Sequence, residues 1–322
     1  MTTANEIRKD SAARTDRFAA LETAFHDAGI KKRAAIFAAM TLAAVGPDSA
    51  SGTLPRQVAE MAAALKSNPE TRKLTADQTR PAIAAALLAT GKDEKALEAA
   101  RHALPRQHFG ALSGLRPQAA IMLAVSDTEA GDALWTRHQA IIDAAPRRWY
   151  GARAIGPVPA LSLALQGVTP ETALARFEAA RSGLEAAGLW GPTATGYAPK
   201  LAALDPNAPV LANNFKSLKE GRKTDKRLKL LNDERRALLA AAAPDPDTLH
   251  AALEPPLDAA FERKRKLSTS AGALAACLAL AALGKASPDQ SVRELLAIIA
   301  AEQAAVIAAT TAATTAAVST SG

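Results

Sequence analysis

Apolar positions along this chain recur at three- and four-residue spacing and never in the strict alternation that marks a half-buried strand. Leu174, Phe177, Leu184 and Ala187 fall on one helical stripe, and Ala133, Leu134, Ile141 and Ile142 make a similar stripe one unit earlier. Between such amphipathic segments stand shorter ones, "AIAAALLA" (82–89) and "ALSLALQG" (160–167), which are apolar on nearly every side. The pattern predicts helices throughout, with the short segments as a buried inner row.

Prolines, glycines and aromatics punctuate this pattern. Successive units begin at Arg80, Arg116 and Gly156 and close on Gly110, Gly151 and Gly191, a period of about forty residues. Each opens with a proline, at 81, 117 and 157, suited to a first helical turn where a missing N–H costs nothing. "VTPE" (168–171) and "ASPD" (286–289) place a hydroxyl N-cap before proline and an acid, which faces the positive end of the helix dipole. "SDTE" (126–129) is expected to cap in the same way. The closing glycines are expected to take the left-handed conformation after a helix C-terminus, with the adjacent aromatic packing back on the last turn.

Looser pairs extend the pattern: 33–45 with 54–67, then 197–220, 234–266 and 272–305. About seven antiparallel helix pairs result, after a single helix near 11–28. The period and layout resemble the α-solenoid class of helical repeats, in the broad sense of tetratricopeptide and HEAT-type arrays. The tetratricopeptide tryptophan, Leu-Gly and tyrosine pattern is absent, so no specific family is matched. The resemblance implies an all-α, right-handed or bundle-like stack in which each pair touches only its neighbours. An irregular compact helical bundle is the alternative. The expected organisation is a flexible N-terminus (1–10), a helical-repeat domain (11–212), a basic connector (213–233), C-terminal pairs continuing the stack (234–309) and an Ala/Thr-rich tail (310–322).

Composition supports helices: 48% of residues are apolar, mostly alanine and leucine, while aromatics are 4%. The one cysteine, Cys277, sits in an apolar run and cannot form an intrachain disulfide. With a polar, charged N-terminus, this points to a reducing, cytoplasmic setting. The apolar run after residue 268 is about fifteen residues, short of the roughly twenty that a membrane span needs. Five scattered histidines show no metal spacing, and no phosphate loop or nucleophile elbow is present. No catalytic residue, cofactor or metal site is assigned. A helical enzyme with a pocket between hairpins ranks last among the readings.

Charge changes the picture more. The chain carries +7, and between 213 and 236 nine basic residues oppose four acids. Lys216, Lys219, Arg222, Lys223, Lys226, Arg227 and Lys229, with Arg263, Lys264, Arg265 and Lys266, are the candidates for a polyanion site. On a helix, 219, 222, 223 and 226 share a face that would track phosphates or an anionic bilayer. No aromatic is interleaved for base stacking, and a solvated connector is the competing reading.

A second constellation lies at the inter-helix corners: Arg80, Arg116, Arg148, Trp149, Tyr150, Arg153, Trp190 and Tyr197. Tryptophan, tyrosine and arginine dominate binding hot spots, and equivalent corners of a stack align along one edge. The competing reading has the aromatics wedging repeats together and the arginines satisfying helix C-terminal carbonyls. The function expected is binding of a protein or peptide partner, acidic segments favoured. The alternative is binding of nucleic acid or an anionic membrane surface.

Overall fold

A Thr3–Glu6 capping box starts the first helix: the threonine hydroxyl accepts from the Glu6 amide and the glutamate carboxylate takes the Thr3 amide. The computed structural model describes residues 3–45, 53–110, 115–148, 151–267 and 270–284. All regular elements among them are helical, with no strand. In order they are α1 (Ala4–Asp27), α2 (Lys32–Val45), α3 (Leu54–Ser67), α4 (Pro69–Arg72), α5 (Arg80–Ala89), α6 (Glu94–Ala103), α7 (Arg116–Ala124) and α8 (Asp132–Ala144). There follow α9 (Pro157–Leu165), α10 (Pro170–Ala186), α11 (Gly191–Leu201), α12 (Ala208–Thr224), α13 (Asp233–Ala242), α14 (Pro246–Glu262), α15 (Lys264–Leu267) and α16 (Ala271–Leu283). Helix α1 therefore begins inside the stretch expected to be flexible. Much of the expected basic connector is also helical: residues 213–224 complete α12, and Lys226–Leu230 form a 3-10 turn.

The short apolar segments are buried as expected. Residues Arg80–Leu87 of α5 are buried without exception, as are Ala119–Ala124 of α7 and most of α9 and α16. Pro81, Pro117 and Pro157 occupy first turns. Thr169 caps α10 through the Thr172 amide. Ser126 instead accepts from the Thr128 amide in a local turn, and α8 starts later, at Asp132 after Gly131.

The helix-ending glycines are not the ones expected. Gly91, Gly167 and Gly188 have positive φ and follow α5, α9 and α10. In each case the next amide reaches back to the helix, as from Lys92 to Leu87 at 2.8 Å, Val168 to Leu163 at 3.1 Å and Leu189 to Leu184 at 3.0 Å. Of the expected closing glycines only Gly151 has positive φ, and Gly191 is the first residue of α11. "ASPD" and the 286–322 segment lie outside the described residues.

Neighbouring pairs pack in chain order, and then the ends meet. Helix α1 packs against α14 and α16 as well as α2, and α16 also packs against α2. An open stack, each pair touching only its neighbours, does not make these contacts. The seam carries specific bonds: Arg8 pairs with Glu254 at 2.9 Å, and Ser11 Oγ donates to the Ala252 carbonyl at 2.6 Å. Arg263 pairs with Glu22 and lies over the Phe18 ring, 5.4 Å from its centroid. No described helix is long and apolar enough to cross a membrane.

Candidate functional site: the outer face of α12

Helix α12 buries Leu211, Ala212, Asn214, Phe215 and Leu218, turning the opposite face to solvent. Lys216, Lys219, Arg222 and Lys223 are exposed on that helix, and Lys226 and Lys229 on the turn that follows. None of these six makes an ion pair among the described residues. Arg222 and Lys223 lie in the last turn, where cations also stabilise the negative end of the helix dipole. Arg227 is different. It chelates Asp225 at 2.8–3.0 Å and pairs with Asp258 of α14, which pins the 3-10 turn to that helix. Hydrogen bonds from Arg227 hold the Asp225 carboxyl below the usual range, and the two carboxylates raise the guanidinium above its own.

Tertiary packing brings the basic run to the turn that carries Trp190. Lys219 Nζ lies 3.7 Å from where a β-carbon on Gly188 would stand. Trp190 follows two residues later in the same α10–α11 turn and is 74% exposed. At the corner of α11 and α13, Tyr197 is partly buried. Its hydroxyl is pushed up by burial and by the nearby Glu234 and Asp233. Arg236 is buried and donates to the Leu231 carbonyl at 2.8 and 3.1 Å while pairing with Asp233 at 2.8 Å. Burial, with like charge from Arg222, lowers its pKa despite the Asp233 pairing.

The corner arginines do structural work. Arg80 is buried, donating to Thr75 Oγ1 at 2.9 Å and the Thr75 carbonyl at 2.8 Å and pairing with Asp77 at 2.5 Å, so it does not stand on an exposed strip. Arg116 donates to the carbonyls of Phe109 (2.5 Å) and Arg101 (3.0 Å), Arg148 to those of Ala154 (3.1 Å) and Thr195 (3.2 Å), and Arg153 to that of Ala145 (3.0 Å). Two of these acceptors, Arg101 in the last turn of α6 and Ala145 just past α8, sit where carbonyls lack intrahelical donors. Trp149 and Tyr150 lie outside the described residues. Of the 263–266 cluster, Arg263 belongs to the α1 seam and Lys264 lies 4.2 Å over the Phe261 ring. The side chains of Arg265 and Lys266 are likewise outside the described set.

An open cleft of about 590 Å³ runs along α12 on the side facing α14, lined by Asn213, Lys216, Ser217, Glu220, Gly221, Thr224 and His250. In it Ser217 Oγ and His250 Nε2 are 2.9 Å apart. The polar stripe 213, 216, 217, 220, 224 has helical spacing and is legible in the sequence. Its partner, 33 residues away on a helix two elements later, is not. No group of three or more His, Cys, Asp or Glu side chains suited to a metal ion occurs among the described residues.

No protein-family model matches the chain, and neither a curated protein nor a solved structure is significantly similar to it.

Proposed function

We propose that the chain is a cytoplasmic binding protein whose helix pairs pack in chain order and close α1 onto α14 and α16, and that the outer face of α12 holds an acidic segment of a partner protein. One observation carries this reading: six exposed cations without ion pairs among the described residues stand on α12 and the turn after it, and the Lys219 ammonium reaches the α10–α11 turn that carries the exposed Trp190. Exposed charges without partners cost the fold little and remain available to a ligand. The exposed tryptophan in the turn that Lys219 reaches offers apolar area at small entropic cost, as binding hot spots do. Arg80, Arg116, Arg148 and Arg153 each donate to backbone carbonyls of the protein, which favours α12 over the corners as the source of available cations.

A fluorescent Glu/Asp-rich peptide, heparin and a single-stranded oligonucleotide, each titrated across a salt series, test the reading. Peptide binding that weakens with salt and is lost both in the Lys219, Arg222, Lys223, Lys226→Gln variant and in Trp190→Ala is the expected result. Much tighter binding of the oligonucleotide at equal salt would assign the face to nucleic acid instead. Absence of binding by all three probes at low salt would reject it.

A further inference from the structure

We propose that Ser217 and His250 form a nucleophile–base pair, and that the α12–α14 cleft carries out acyl transfer on small esters bearing a carboxylate. The proposal is independent of the binding role above. Hydroxyls elsewhere in these helices mostly bond their own preceding turn, as Thr15 does to Ser11, Thr23 to Ala19, Thr41 to Phe37 and Thr90 to Ala86. Ser217 is turned instead onto an imidazole from a different helix, at a distance suited to proton transfer, in an open cleft. Asp225 is committed to Arg227, which makes the arrangement a dyad.

The cleft also has groups for a substrate. Asn213, one turn before Ser217, brings a side-chain amide donor to the same wall, and Lys216 brings an exposed ammonium. These are the donors that a developing oxyanion and a substrate carboxylate need. Glu220, one turn after Lys216 on the same wall, disfavours a second negative charge, which favours a monoanion as the ligand class.

Ser217 Oγ bonds to the acyl carbon as its proton passes to His250 Nε2. The bond from carbon to the leaving oxygen then breaks, and that oxygen takes the proton from Nε2. Water next attacks the acyl carbon, giving a proton to Nε2. The carbon–Oγ bond breaks, and the proton returns to Oγ, releasing the acid.

Full-length protein is incubated with p-nitrophenyl acetate and with mono-p-nitrophenyl succinate, and acylated residues are located by peptide mass mapping. The expected result is acyl transfer to Ser217, with p-nitrophenolate release slowed about a hundredfold in Ser217→Ala and in His250→Gln. Lys216→Gln should erase the preference for the succinate ester. Acyl groups found only on lysines of the wild-type protein, a result that depends on no variant's folding, would overturn the proposal. Equal release by wild type and a folded Ser217→Ala would overturn it as well.

Discussion

Ser11 donates its hydroxyl proton to the carbonyl of Ala252 at 2.6 Å, four residues before Pro256. In an uninterrupted helix that carbonyl would accept from the amide of residue 256, but proline has none. Both Ser11 and Ala252 are buried, so a hydroxyl from α1 satisfies an acceptor that α14 leaves open. Ser11→Ala is expected to destabilise the protein by about 1–3 kcal/mol, read from urea unfolding. Adding Pro256→Ala supplies an in-helix donor, so the double variant should be more stable than Ser11→Ala alone. Equal or lower stability of the double variant would remove the argument.

Two glycines predict opposite signs. A β-carbon on Gly272 would run into the Leu230 carbonyl and lie 2.6 Å from Arg235 Nη1, where α16 packs against the segment leading into α13. Backbone cannot step aside as a side-chain tip can, so Gly272→Ala should cost at least about 1–3 kcal/mol. Gly196, in the part-exposed α11, has nothing within 4 Å of its would-be β-carbon. Gly196→Ala should therefore stabilise by about 0.5–1 kcal/mol through helix propensity. Paired thermal melts decide both.

Arginine content alone does not tell structural cations from available ones. Arg80→Ala removes bonds to Thr75 and Asp77 from a buried position and should lower stability by about 2–4 kcal/mol. Changing Lys219, Arg222, Lys223 and Lys226 to glutamine together should shift stability by no more than about 0.5 kcal/mol, since all four are exposed. A large fall in the quadruple variant would mean that α12 needs these charges to fold.

His138 sets an acid limit. It is fully buried, with Nε2 3.0 Å from the Pro157 carbonyl and Nδ1 without a hydrogen-bond partner. Phe109, Trp135 and His108 surround the ring at 5.6, 5.8 and 5.0 Å between centroids. Burial pushes its pKa down, and His108 adds to the effect, although the bond to Pro157 opposes it. A base with a depressed folded pKa binds its proton more readily when unfolded. Stability is therefore full above the unfolded value of about 6.5 and declines as pH falls from there toward the folded pKa. Urea unfolding between pH 7.5 and 5 should show this loss, and His138→Phe should flatten the slope over that range.

Burial also pushes the Cys277 thiol up to about 12, leaving almost no thiolate at neutral pH. Iodoacetamide should modify it only after unfolding. Rapid labelling of the native protein would show that α16 opens.

What the amino-acid order determined by itself is the local structure. Alanine-rich segments without alternation can only be helices, and prolines 81, 117 and 157 and the Thr169 cap mark starts because a helix end needs those groups within one turn. All-round apolar segments such as Ile83–Leu87 become the inner row because no face of them gains from water. Even the early start of α1 was legible, in a threonine and a glutamate three residues apart. Glycine roles were less so: which glycine takes positive φ depends on where the preceding helix stops, and that varies by several residues within similar patterns.

Tertiary structure alone decided the rest. The bond between Ser11 and Ala252 joins residues 241 apart, and it lies in the seam where α1 packs on α14 and α16, where an open stack would leave α1 at an edge. Lys219 against the α10–α11 turn, and His250 against Ser217, follow from α12 packing between α10 and α14. Short-range periodicity says which face of a helix is buried. It does not say which distant helix covers that face, because that choice is made by shape fit among many similar alanine- and leucine-lined surfaces.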